Sequence, residues 1–117
     1  MSDYEYQHAI HGESKVKQKA FVDMFKPVIA WAMNNNNQIF EQIETSFIFG
    51  KVHRKNDPSF DVTVFFRGGD NESFTFYAWR DENKLKAQKE ILKKILKAKD
   101  LNEYKSLSDR FNNRDLL

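Results

Sequence analysis

FDVTVFFRGGDNESFTFYAWR, residues 60–80, is the stretch on which the fold turns. Phe60, Val62, Val64 and Phe66 alternate with Asp61, Thr63, Phe65 and Arg67. Beyond Gly68-Gly69-Asp70-Asn71, Phe74, Phe76 and Ala78 alternate with Ser73, Thr75, Tyr77 and Trp79. Period-two apolarity, β-branched and aromatic residues, and a Gly/Asp/Asn turn together predict a β-hairpin. Pairing Arg67 with Glu72 would mix the two apolar rows, because Phe65 would then face Phe74. An odd loop avoids this, with three residues between Gly68 and Glu72 or five between Arg67 and Ser73. Phe66, Val64 and Val62 are then expected opposite Phe74, Phe76 and Ala78.

That register gathers Phe65, Tyr77 and Trp79 beside Arg67 on the second face. An antiparallel sheet commonly leaves one face wet. Three large aromatics there imply either cover by the N-terminal segment or the C-terminal helix, or a contact surface for a partner or for stacked bases.

Outward from the hairpin, Ser14 is a suitable N-cap. Val16, Ala20, Phe21, Met24, Phe25, Val28, Trp31 and Ala32 follow helical spacing after it. Pro27 interrupts this run, so the helix either bends there or restarts; one kinked helix from 14 to about 34 is the preferred reading. Asn34 to Asn37 read as its exit. Residues 1–13 alternate at Tyr4, Tyr6, His8 and Ile10, as in a short edge strand. His8, His11 and Glu13 lack the supporting shell of a metal site and read as solvated side chains.

After Gln38, a helical turn at 38–42 and a strand within roughly 43–54 are expected, with Gly50 as a bulge candidate. His53 to Pro58 form a basic turn, in which Arg54 and Lys55 could touch phosphates. Past the hairpin, Asp81 can cap a long helix whose buried face is Leu85, Ile91, Leu92, Ile95, Leu96 and Ala98. Lys86, Lys89, Lys93 and Lys97 form a stripe on its outside. Asp100 to Glu103 have capping-box spacing, and a short further helix to about 111 follows. The fold class is thus α+β, α-β-β-β-α, with a three-stranded antiparallel sheet packed against helices and a short C-terminal helix. The chain reads as a single domain over 1–117: an N-terminal segment 1–13, a folded core 14–111 and a frayed tail 112–117.

Composition narrows the function classes. The 117 residues contain no Cys, which excludes disulfides and cysteine-based zinc sites. No apolar run approaches the ~18 residues of a membrane span. The start MSDYEYQHAIHGES lacks a signal-peptide pattern, so a cytoplasmic protein is expected. The net charge is only +2, but residues 84–99 carry seven Lys and one Glu, a net of +6, which leaves −4 elsewhere. A basic stripe on one element attracts polyanions. No Gly-rich phosphate loop, nucleophile motif or paired-carboxylate arrangement is visible, so no catalytic residue, metal or cofactor is assigned.

Two further stretches carry a family resemblance. Asn56-Asp57-Pro58-Ser59-Phe60-Asp61-Val62-Thr63-Val64 resembles the loop entering the second strand of the double-stranded-RNA-binding domain. Lys84-Leu85-Lys86-Ala87 is similar to that family's lysine-rich helix entry. Asn56 stands where the family's groove-reading His falls, and Gln88 replaces one of its clustered lysines. The basic helix face and turn would place Arg54, Lys55, Lys84, Lys86, Lys89, Lys93 and Lys97 on phosphates, and the resemblance implies RNA as the partner. The expected function is a small non-enzymatic nucleic-acid-binding protein. The alternative is a regulator or inhibitor that grips a protein or ribonucleoprotein through Phe65, Arg67, Tyr77 and Trp79, a face that could also make a homodimer.

Overall fold

The computed structural model describes residues 3–49, 58–77 and 81–112. Its elements run α1 (Asp3–Asn35), β1 (Phe40–Phe49), β2 (Pro58–Phe66), β3 (Asn71–Tyr77), α2 (Glu82–Leu96) and α3 (Leu101–Asn112). The three strands form one antiparallel sheet in the order β1-β2-β3. This is the α+β architecture expected from the residue pattern. Gly50, the basic turn with Arg54 and Lys55, the residues Ala78, Trp79 and Arg80, and the tail from 113 lie outside the described residues.

Helix α1 begins at Asp3 rather than after Ser14, so residues 3–13 are helical and not an edge strand. Among them only Ile10 is β-branched, while Glu, Gln and Ala favour helix. Extending a formed helix also costs far less than nucleating one. The helix continues through Pro27. At 33 residues it is about 50 Å long, which matches the 52 Å long axis of the molecule.

Its inner stripe is Phe21, Phe25, Val28 and Ala32, all buried. Phe21 stacks on Phe60 of β2, with ring centroids 4.8 Å apart, and Phe25 meets Phe76 of β3 at 5.7 Å. Phe25 has no exposed surface, and burial of that order contributes about 1.5–3 kcal/mol per side chain. Val16 and Trp31, by contrast, are 71% and 39% exposed. Helical geometry explains why: successive residues point ~100° apart, so Trp31 and Ala32 cannot both face the sheet.

Asn36 joins three elements. Its N–H donates to the Ala32 carbonyl at 2.7 Å, which ends α1. Its carbonyl accepts from Ile39 and Phe40 N–H at 3.0 and 2.9 Å, which starts β1. Its buried side-chain amide donates to the Leu96 and Ala98 carbonyls at 2.8 and 3.1 Å. Those carbonyls lie at the end of α2, where the helix supplies no partners of its own.

Strand β1 therefore starts at Phe40, several residues earlier than expected, so the end of a turn at 37–39 and the first residues of the strand replace the predicted helical piece at 38–42. Between Phe40 and Gln42 the register shifts. This bulge brings Phe40, fully buried, onto the same face as Ile43 and Phe47.

The hairpin has the predicted parity but not the predicted pairs. Val62 lies opposite Phe74 and Phe60 opposite Phe76, a slide of four residues from the expected register. The loop is three residues long, Arg67-Gly68-Gly69. It is closed by Phe66 N–H to the Asp70 carbonyl at 2.8 Å and by Gly69 N–H to the Phe66 carbonyl at 3.1 Å. Gly69 has φ +97°, the left-handed position that a three-residue hairpin loop needs at its end. Phe60, Val62, Val64, Phe74 and Phe76 are buried as the two rows required.

Helix α2 is capped by the Asp81 carboxylate, which accepts from Asn83 and Lys84 N–H. Helix α3 starts on the Asp100 carboxylate, which accepts from Glu103 N–H at 2.9 Å. Phe111 of α3 packs edge-on against Phe74 and Phe76. The helices thus cover one face of the sheet. The other face presents Gln42, Glu44, Ser46, Thr63 and Ser73, with the Thr63 and Ser73 hydroxyls hydrogen-bonded at 2.8 Å.

Candidate nucleic-acid interface

Helices α1 and α2 lie side by side and run in the same direction. Lys17 of α1 lines one cleft with Glu82 and Lys89 from the start of α2. Fourteen residues further along α1, Trp31 lies under Lys97 at the end of α2, 5.4 Å from ammonium to ring centroid. The Asn36 bonds to Leu96 and Ala98 close the far end of this seam.

The buried stripe of α2 is Gln88, Ile91, Leu92, Ile95 and Leu96. Lys86, Lys93 and Lys97 therefore fall close together on the outward side that borders α1. Lys86 and Lys97 are eleven residue steps apart, about 16 Å of helix. Among the described residues the ion pairs are Lys93–Glu90 at 3.2 Å and Lys19–Asp23 at 3.0 Å. Lys86 and Lys97 are exposed and have no carboxylate partner there. Glu90 is the single acid within the row.

Lys89 is half-buried in the cleft with Lys17, Phe21, Phe60, Leu85 and Glu82, a space of about 360 Å³. Burial holds its ammonium below the usual lysine pKa. Glu82 opposes that shift, and Lys93 and Lys86 reinforce it. The repulsion from Lys93 and Lys86 reports positive charge gathered along this side of α2. Lys84 is exposed but lies about 160° around α2 from Lys86, so it stands outside the row.

The four residues considered for a protein partner do not come together as expected. Phe65 pairs with Asn71 beside the turn, and Tyr77 pairs with Ser59 six residues along β2, about 20 Å away. Both are half-buried. Arg67 is exposed and donates from Nε to the Asn37 carbonyl at 2.7 Å, bracing the turn against the end of α1. Trp79, like Arg54 and Lys55, lies outside the described residues.

A second concave region of about 670 Å³ opens between the hairpin turn and α3. Glu72 stands in it and accepts hydrogen bonds from the Tyr104 hydroxyl and, on both carboxylate oxygens, from the Ser108 hydroxyl at 3.0 Å. Burial, then the hydrogen bond to Glu72 and its charge, push the Tyr104 phenol well above its ordinary pKa of 10.0. The phenol therefore stays protonated and keeps donating. With its carboxylate satisfied in this way, Glu72 fastens the hairpin to α3.

Trp31 and the Glu72 trio were not singled out by sequence reasoning. Trp31 could have been found from the Phe21-Phe25-Val28-Ala32 stripe, which leaves no room for it on the inner face. No local pattern signals Glu72, because Tyr104 and Ser108 are 32 and 36 residues away.

Among the described residues, no helix is long and apolar enough to cross a membrane, and no group of His, Asp and Glu could hold a metal ion. No protein-family model, curated protein or solved structure matches the chain.

Proposed function

We propose that the protein is a non-enzymatic nucleic-acid-binding protein that grips phosphates along the α1–α2 seam, with RNA as the expected class. The supporting observation is the row Lys86, Lys93 and Lys97, which meets one carboxylate, Glu90, among the described residues. A solvated lysine face is common, and Glu82 and Glu90 stand four residues to either side of Lys86, yet among the described residues the pair formed within the row is Lys93–Glu90. Here the adjacent helix adds Lys17 rather than an acid. Lysines that neutralise phosphates release the cations condensed on the nucleic acid, which is the main source of sequence-independent affinity. The likeness of Asn56–Val64 and of Lys84–Ala87 to the double-stranded-RNA-binding domain supports RNA within this reading, and would add Arg54, Lys55 and Lys84 as outlying contacts.

The test is the anisotropy of labelled RNA, single-stranded and duplex, titrated with the full chain at about 50 mM and about 200 mM salt. Binding that weakens steeply between the two is expected. No binding of either form at the lower salt overturns the proposal.

A further inference from the structure

Trp31 lies at the lysine row and is 39% exposed, although an indole is among the most rewarding side chains to bury. It borders α2, and the Lys97 ammonium sits over its face at 5.4 Å. A cation over an indole is drawn by the negative face of the ring, so that face opens towards the basic seam and not into the core. The other large exposed apolar side chains among the described residues, Val16 and Leu101, are aliphatic.

We infer that Trp31 is a stacking platform for a nucleobase, and that the seam takes single-stranded nucleic acid in preference to duplex. This rests on the nucleic-acid reading proposed above. Stacking on an aromatic ring needs a base whose face is free; a single strand offers one, whereas a duplex keeps its bases stacked on one another. Lys97 then serves twice. Its ammonium lies over the ring in the free protein and moves to an adjoining phosphate when a base takes its place. Lys93 and Lys86, about one and about three turns back along α2, carry the backbone onward. Pairing of a π-face with flanking cations is the general chemistry of sequence-tolerant single-strand binding.

The chain contains two tryptophans, so Trp79→Phe leaves Trp31 as the one indole reporter. A uridine oligomer of about twelve nucleotides and a blunt RNA duplex of about sixteen base pairs are the two probes. The oligomer is expected to quench Trp31 fluorescence as it binds, and the duplex is not. In the otherwise unchanged chain, Trp31→Ala is expected to weaken oligomer binding about tenfold and to leave duplex binding unaltered, while Trp31→Phe, which keeps a ring, recovers most of the loss. Salt-dependent oligomer binding without quenching, and with Trp31→Ala equal to wild type, overturns the stacking role and leaves the nucleic-acid reading standing. Tighter binding of the duplex than of the oligomer overturns the single-strand preference. Failure of both probes to bind removes the reading on which the inference rests.

Discussion

At the hairpin, one half-buried carboxylate, Glu72, receives two hydroxyls from α3. Along the α1–α2 seam, one lysine of three, Lys93, meets an acid, Glu90. The first region satisfies its charge within the chain and converts it into attachment of α3 to the sheet. The second leaves most of its charge open to solvent and gains little stability from it, since an exposed pair such as Lys93–Glu90 contributes at best a few tenths of a kcal/mol. Charge that the fold does not use is the charge available to a partner. The two regions should therefore respond oppositely to substitution: one in folding, the other in binding.

The largest effect on folding is expected at Asn36, where buried bonds hold the open seam together. Asn36→Ala strips the donor from the Leu96 and Ala98 carbonyls and is expected to cost about 2–4 kcal/mol. Urea denaturation would measure it as a lower midpoint at unchanged slope. A loss under 0.5 kcal/mol would mean that the seam is held by apolar packing alone.

Tyr104→Phe comes next. It removes a hydrogen bond to a charged acceptor, worth about 1.5–3 kcal/mol, while Ser108 still serves Glu72. The same pair sets an alkaline limit. The folded pKa of Tyr104 lies above the unfolded value of 10.0, so its contribution is complete below pH 10 and is lost as the pH rises beyond it. Tyr104→Phe should flatten that alkaline decline. Nucleic-acid affinity should be unaltered in this variant, and a loss there would erase the contrast between the two regions.

The smallest effect belongs to Lys89, where the two regions' chemistry overlaps: a lysine of the seam, but half-buried. Because its pKa is lowered in the fold, its charge opposes folding at neutral pH, and that penalty is relieved as the pH rises through the lowered value. Lys89→Met should raise the thermal midpoint slightly at pH 7 and less at higher pH.

How much of this was legible beforehand differs by element. The hairpin's parity was readable from the alternation of Phe60 to Phe66 with Asp61 to Arg67, because burial enforces which face is apolar. Its register was not. A slide of four residues keeps every side chain on its face, so hydrophobic pattern cannot choose between Val62–Ala78 and Val62–Phe74. Backbone chemistry chooses: the last residue of a three-residue loop must tolerate positive φ, and Gly69 does so more readily than Asn71. The α2 lysine row followed directly from 3.6-residue periodicity. The seam it borders did not, since it depends on the direction in which α1 packs, which rests on Asn36 and on contacts some 60 residues apart in the chain. Helical spacing grouped Trp31 with seven other apolar residues, and that set is broader than the stripe a sheet can cover.

The salt dependence of single-stranded RNA affinity, compared between the wild-type chain and Lys86→Glu/Lys93→Glu/Lys97→Glu, addresses the lysine seam most directly. Each phosphate neutralised contributes about −0.7 to the slope of log affinity against log salt on a single strand. The wild type should show a slope of about −2 or steeper. The triple variant should lose at least ~100-fold in affinity at low salt and most of the slope, with stability within about 0.5 kcal/mol of wild type. An equal slope in both proteins, or a wild type that binds no strand at low salt, would contradict the account.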